Sequence, residues 1–294
     1  MDLQQQQSTG LRNRWIFLQF AFQKKKSYFC GLAAKVPLLN QVFDNQRYMK
    51  KFINDIGRYF ILMGKVLRKP DNWKLYREKV FFELKVLGME SLPIVCVISA
   101  FVGAAVVIQL AANLSNPIYP TWISGYTSRK AIMLEFAPTM IGLVLAGKVG
   151  SRIASELGSM RITEQIDALD VMGVNSACYL IQPKILSFVI FSPVIIVFSV
   201  FFSLGGGWLF GVSTGVITSY EYLDGLQLEF DSYDMVIGLV KGLVYNFIIA
   251  SVSSFRGYTV SGGALEVGQA STKAVVESCM ILIISNLILT SILL

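Results

Sequence analysis

The stretch Leu92–Leu114, LPIVCVISAFVGAAVVIQLAANL, runs without a single charged residue. At about 1.5 Å per residue, a helix of this length crosses roughly 30 Å of hydrocarbon. Four further apolar runs follow it. Ala131–Gly147 is short and holds Glu135 and Pro138. A third run begins near Ile185 and stays uncharged up to Glu221. Met235–Phe255 carries Lys241, and Ala274–Leu294 has Glu277 near its start. These runs predict an all-α integral membrane protein with five transmembrane helices.

The third run exceeds what one crossing needs, and a break at Gly205-Gly206-Gly207 would divide it into two short spans. Loop charge decides between the readings. Val212–Asp234 contains Glu221, Asp224, Glu229, Asp231 and Asp234 but no Lys or Arg, whereas Arg256–Lys273 is bounded by basic residues. Basic loops stay on the cytoplasmic side, so the reading is a single third span, with the N-terminus inside and the C-terminus outside. Arg129 and Lys130 run against it, because that topology puts them near the outer face.

Composition agrees. The chain is 54% hydrophobic and only 15% charged, with a mean hydropathy of +0.57, against roughly a quarter charged in soluble domains. Its net charge is +7, and 17 of the 26 Lys and Arg precede Ser91. That placement suits an anionic lipid surface rather than nucleic acid, for which no aromatic stacking motif is present. Cys30, Cys96, Cys178 and Cys279 lie far apart and histidine is absent, so no metal centre is expected. The short apolar run Trp15–Phe22 leads into Lys24-Lys25-Lys26 instead of a small-residue cleavage site, so the start should be retained.

Three regions follow. Residues 1–48 form a basic extension, partly disordered or on the membrane surface. Residues 49–90 hold interfacial amphipathic helices: Phe52, Ile53, Ile56, Phe60, Met63 and Leu67 recur at helical spacing, as do Trp73, Tyr76, Val80, Leu84 and Leu87 beyond Pro70-Asp71. Residues 91–294 form the five-helix domain. Within it, residues 151–173 carry two short apolar stripes separated by Gly158, flanked by Arg152, Glu156, Arg161, Glu164, Asp167 and Asp170. Such an element is either a docking helix or a solvated loop.

Longer motifs add to this. EFAPTMIGLVLAGKVGSRIASELGSMRITEQIDALDVMGVNS (Glu135–Ser176) and FRGYTVSGGALEVGQASTKAVVES (Phe255–Ser278) resemble the signature regions of MlaE/YrbE-type permeases, the membrane subunits of MCE-associated ABC lipid transporters. The resemblance covers the chain from about Met49 onward. It implies a homodimer in the bacterial inner membrane, paired with a cytoplasmic ABC ATPase and a periplasmic MCE-domain protein, with phospholipid as cargo. It also implies that Arg152, Glu156, Arg161, Glu164, Gln165, Asp167 and Asp170 belong to a coupling helix. Glu164, Gln165 and Asp167 would lead the contact with the ATPase. Family members often carry a basic residue and a glycine where this chain has Leu134 and Ala137.

The chain has no GxxxxGK[ST] loop, so ATP and Mg are expected on the partner ATPase and no cofactor on this chain. Glu135 and Lys241 are charges within apolar spans; with Pro138 they are the candidates for lining the lipid path, or they pair between helices. The alternative is an ion-coupled secondary carrier built on Glu135 and Lys241, although no inverted repeat is visible. A lipid-modifying enzyme is disfavoured, since there is no histidine and no carboxylate pair on a span.

Overall fold

The computed structural model describes residues 53–69, 72–114, 120 and 122–293, so the extension over 1–48 lies outside the described residues. Contacts divide the chain into two units, Met1–Ile61 and Leu62–Leu294. The second unit contains every site discussed below. Helix α1 (53–66) exposes Ile53, Ile56, Phe60 and Ile61 and ends in buried Leu62 and Val66.

The rest is a bundle of long helices: α2 (Trp73–Asn113), α3 (Ile123–Ile162), α5 (Ser176–Ser213), α7 (Ser232–Tyr258) and α8 (Ala264–Leu293). All five are long and apolar enough to cross a membrane. Two short helices, α4 (Gln165–Val171) and α6 (Ser219–Gln227), sit in the connections at opposite ends of the bundle. No strand occurs among the described residues.

Several boundaries move outward from those read in the sequence. The second amphipathic helix and the first span form one rod, α2, whose ladder is perturbed at the π turn Leu84–Gly88 and the 3-10 turn Met89–Ser91. Pro93 has no N–H to give to the Met89 carbonyl, and the Leu92 N–H takes that acceptor instead. Helix α5 starts at Ser176, capped by Asn175, rather than near Ile185, and α8 starts at Ala264 rather than Ala274. Hydropathy stops at charged residues, but the helices do not, because those charges find partners.

Gly158, which separates the two apolar stripes of residues 151–173, does not interrupt the helix; the break falls at Thr163–Glu164. There Glu164 takes a left-handed φ of 59°, and α4 begins afresh. Gly158 stays helical because it is a packing position: a Cβ there would meet the Val267 side chain at 3.0 Å.

The Gly205–Gly207 run does not interrupt α5, which continues through it as a single helix. It serves a seam with α2. A Cβ on Gly206 would lie 2.3 Å from the Ala100 carbonyl oxygen, and one on Gly103 only 1.9 Å from that of Ser203. The two backbones therefore touch, and hydroxyls stitch the same line. Ser99 Oγ lies 3.0 Å from Ser199 Oγ, and Ser203 Oγ donates to the Ser99 carbonyl at 3.0 Å. Close small-residue contact of this kind holds helices together where apolar burial gives no preference over lipid.

At the α6 end, Arg129, one of the two basic residues that ran against the loop-charge reading, has a structural use. Its guanidinium is almost fully buried and donates to the carbonyls of Leu226, Leu228 and Glu229 at 2.6, 3.0 and 2.9 Å. It thus caps the C-terminus of α6, where unpaired carbonyls favour a cation. Arg129 is consumed by tertiary structure and is not a free loop charge. Beside it, Tyr222 donates to the Leu204 carbonyl at 3.1 Å, and burial pushes its phenol above the ordinary tyrosine range.

Overpacking a tight seam costs about 1–3 kcal/mol or more. Gly103→Leu is therefore expected to lower the thermal unfolding midpoint of the detergent-purified protein by several degrees. Gly205→Ala, where an added Cβ meets nothing within 4 Å, is expected to leave it unchanged.

Candidate functional site

Pro138 organises the polar centre of the bundle. In a regular helix its N–H would bond the Leu134 carbonyl, but proline has none. The turn Ile132–Phe136 widens to π geometry, and the freed Leu134 oxygen accepts from Lys241 Nζ of α7 at 2.9 Å. The same ammonium donates to Glu135 Oε1 at 2.6 Å and to Thr290 Oγ1 of α8 at 2.8 Å. The Thr290 hydroxyl donates to Glu135 Oε1 at 2.8 Å, and Asn286 Nδ2 donates to Glu135 Oε2 at 3.1 Å. Tyr245 completes the set, its hydroxyl donating to Asn286 Oδ1 at 2.7 Å.

The three lipid-path candidates, Glu135, Pro138 and Lys241, are thus brought together. Lys241 is wholly inaccessible, whereas the Glu135 side chain keeps 37% of its surface. A buried ammonium is costly unless it is paired and fully hydrogen-bonded, and here all three N–H donors are used. Thr290 and Asn286 were not singled out in the sequence. Their four-residue spacing near the end of α8 was the available signal.

The α4 end holds a second polar centre that the apolar reading of the spans passed over. Lys184 of α5, nearly inaccessible, donates to Glu83 of α2 at 2.6 Å and to Glu156 of α3 at 2.8 Å. Along the same edge Arg152 Nη1 meets Glu90 Oε2 at 2.7 Å, and Lys148 bonds the Glu90 carbonyl. Helix α2 is thereby stapled to the last turns of α3 at two points, Glu83 and Glu90.

This changes how the candidate coupling residues are disposed. Arg152 and Glu156 face other helices of the same chain, and Arg161 pairs with Asp167 at 2.5 Å across the α3–α4 break. Asp170 accepts from the Ser176 N–H at 3.4 Å, helping to close the turn into α5. Glu164 and Gln165 stand exposed at the tip of the connection. The apolar residues Ile153, Leu157 and Ile166 are fully buried, while Val171 and Met172 are strongly exposed. Arg256 and Glu277 join α7 to α8 nearby through a two-point ion pair at 2.5 and 2.7 Å.

Among the described residues, no cluster of Cys, Asp or Glu has the arrangement of a metal site. A cavity of about 240 Å³ opens beside α4, lined by Lys69, Asn72, Tyr76, Leu169, Asn175 and Tyr179 among others.

Comparison with known proteins places this geometry. The family described as "Permease MlaE" matches residues 80–292. A probable ABC transporter permease protein of Rickettsia bellii is 32% identical over 249 residues, covering 82% of this chain and 92% of the relative. The intermembrane phospholipid transport system permease protein MlaE of Haemophilus influenzae is 28% identical over 243 residues, covering 82% and 92%. The chloroplastic protein trigalactosyldiacylglycerol 1 of Arabidopsis thaliana is 29% identical over 236 residues, covering 79% and 66%.

Removing one partner of a buried ion pair typically costs 3–5 kcal/mol, and replacing both far less. Lys184→Met is expected to lower the unfolding midpoint of the purified protein markedly, because Glu83 loses the buried cation that it bonds. Adding Glu83→Gln to Lys184→Met should restore much of the loss in the same thermal measurement.

Proposed function

The chain belongs to the MlaE permease family of multi-pass ABC transporter subunits, and on that premise we propose that it moves phospholipid between the bacterial inner membrane and a periplasmic MCE-domain carrier, driven by a separate ATPase. The relative in Haemophilus influenzae is named for intermembrane phospholipid transport, and that name is the observation that carries the choice of cargo. Membership of an ABC family displaces the ion-coupled carrier built on Glu135 and Lys241.

The parts fall into place around that reading. Two copies of the chain form a lipid-accessible cavity, with the α4 end in the cytoplasm and the acidic α6 end in the periplasm. Each copy docks an ATPase, which binds ATP and Mg, through the tip formed by Glu164, Gln165 and α4. Val171 and Met172 supply the exposed apolar part of that surface, which fits a groove on a partner better than it fits water. Closure of the ATPases draws the tips together. The staples Glu83–Lys184–Glu156 and Glu90–Arg152 carry that movement from α3 into α2 and α5, since packed elements joined by directional bonds move as bodies. At the far end of the same α3, Glu135 and Pro138 meet Lys241 beside the lipid path, and the movement changes the access of lipid to them.

Two measurements test this. In liposomes, the permease with its co-purified ATPase should transfer fluorescent phospholipid to an MCE acceptor only when ATP is supplied, and the permease alone should not. Full-rate transfer by the permease without ATPase or nucleotide would refute the proposal. Reversing the tip, Glu164→Lys with Gln165→Lys, should cut ATPase recovery on affinity purification severalfold while the thermal midpoint holds; undiminished recovery would move the docking site elsewhere.

A further inference from the structure

Taking the lipid-transport reading as given, we infer that Glu135 receives a cationic, N–H-bearing lipid headgroup, the primary ammonium of an aminophospholipid, and that Lys241 contacts no phosphate. The argument is a count of donors and acceptors at the polar centre. An ammonium has three N–H donors and no acceptor. Those of Lys241 are spent on the Leu134 carbonyl, Glu135 Oε1 and Thr290 Oγ1, and its side chain has no accessible surface. It therefore has nothing to offer a phosphate oxygen.

Of the neutral donors, the Asn286 amide keeps one N–H beyond the one it gives to Glu135 Oε2, while the two hydroxyls are committed. The Thr290 hydroxyl is spent on Glu135 Oε1 and the Tyr245 hydroxyl on Asn286 Oδ1. The charge that stays open is the carboxylate, with its acceptor capacity. Glu135 Oε2 takes one hydrogen bond, from Asn286 Nδ2, while a carboxylate oxygen can take two. The side chain that carries it is the one member of the ion pair left 37% exposed.

The surroundings select an amphiphile rather than a free amine. Glu135 is the only charge between Ala131 and Gly147, and α8 has none from Ser278 to Leu293. The large exposed side chains beside the centre on these helices are apolar: Met140, Ile283 and Leu287. A soluble amine would gain nothing from such walls, whereas acyl chains would. Position agrees. Lys241 lies nine residues into α7 and Thr290 three residues from the end of α8. At 1.5 Å per residue that is about 13 Å along α7 and about 5 Å along α8 from the α6 end, within reach of a headgroup drawn in from that side.

The test uses the permease–ATPase complex in liposomes of matched acyl composition, with phosphatidylethanolamine, phosphatidylcholine or phosphatidylglycerol as cargo. Ethanolamine offers a cation with N–H donors, choline a cation without them, and glycerol hydroxyl donors without charge. Transfer of phosphatidylethanolamine should exceed the other two by about tenfold, the worth of one charge-assisted hydrogen bond. Glu135→Gln should abolish the preference. Because that variant leaves the Lys241 charge unpaired, the double variant Glu135→Gln with Lys241→Gln serves as a second version and should lose the preference too. Equal transfer of all three lipids by the wild type would overturn the inference and leave lipid transport standing. A preference that survives in the double variant would also overturn it, as would abolition of the preference by millimolar soluble ethanolamine, which marks a free-amine site. ATP-dependent transfer of none of the three would bring down the transport reading itself.

Discussion

A buried ammonium must spend every N–H it has, and in this protein that requirement ties three transmembrane helices to one point. Lys241 on α7 draws in a carbonyl and a carboxylate from α3 and a hydroxyl from α8. The carbonyl is free only because Pro138, four residues on, brings no N–H to it. Proline, the widened turn, Glu135 and Lys241 are therefore one device. Its outer member, Glu135, is left with unused acceptor capacity beside an apolar surface, and the chemistry proposed for the site follows from that residue.

At the other end of the same helix the logic repeats with different partners. Lys184 is enclosed by α2, α3 and α5 and holds carboxylates from two of them. One of these, Glu156, lies eight residues before the Glu164 turn that precedes α4. A residue that reads as part of a docking face is thus also a strut. Helix α3 carries both devices, Glu135 near its start and Glu156 near its end, which makes it the element best placed to link an event at one membrane face to lipid at the other. Its partners are unequal. The α2–α5 seam is bonded backbone to backbone through Gly103 and Gly206. Helix α8, whose apolar residues are mostly exposed, is held in large part by polar contacts at Asn286, Thr290, Glu277 and Ser271.

Periodicity and charge alone located five crossings and their order, because a helix in hydrocarbon must satisfy its own backbone and needs a fixed length of apolar residues to do so. The long motif blocks likewise pointed to the permease family. The same reading placed helix ends too far inward, since hydropathy cannot distinguish a solvated charge from one such as Lys184 or Arg129 that has a partner waiting. It also divided residues 151–173 at Gly158, whereas the helix is interrupted at Glu164.

What the sequence by itself determined is the all-helical, five-crossing architecture and the presence of Glu135, Pro138 and Lys241 as exceptions within it. Only the tertiary structure decided that these three meet, that Thr290 and Asn286 complete them, that Glu83 and Glu156 share Lys184, and that Gly206 and Gly207 lie in a seam and not at a break. The physical reason is one of range. Span length and helix periodicity are local properties, repeated every few residues and visible along a chain. Ion pairs and backbone contacts between residues about a hundred positions apart depend on which helix faces which, and no local pattern records that.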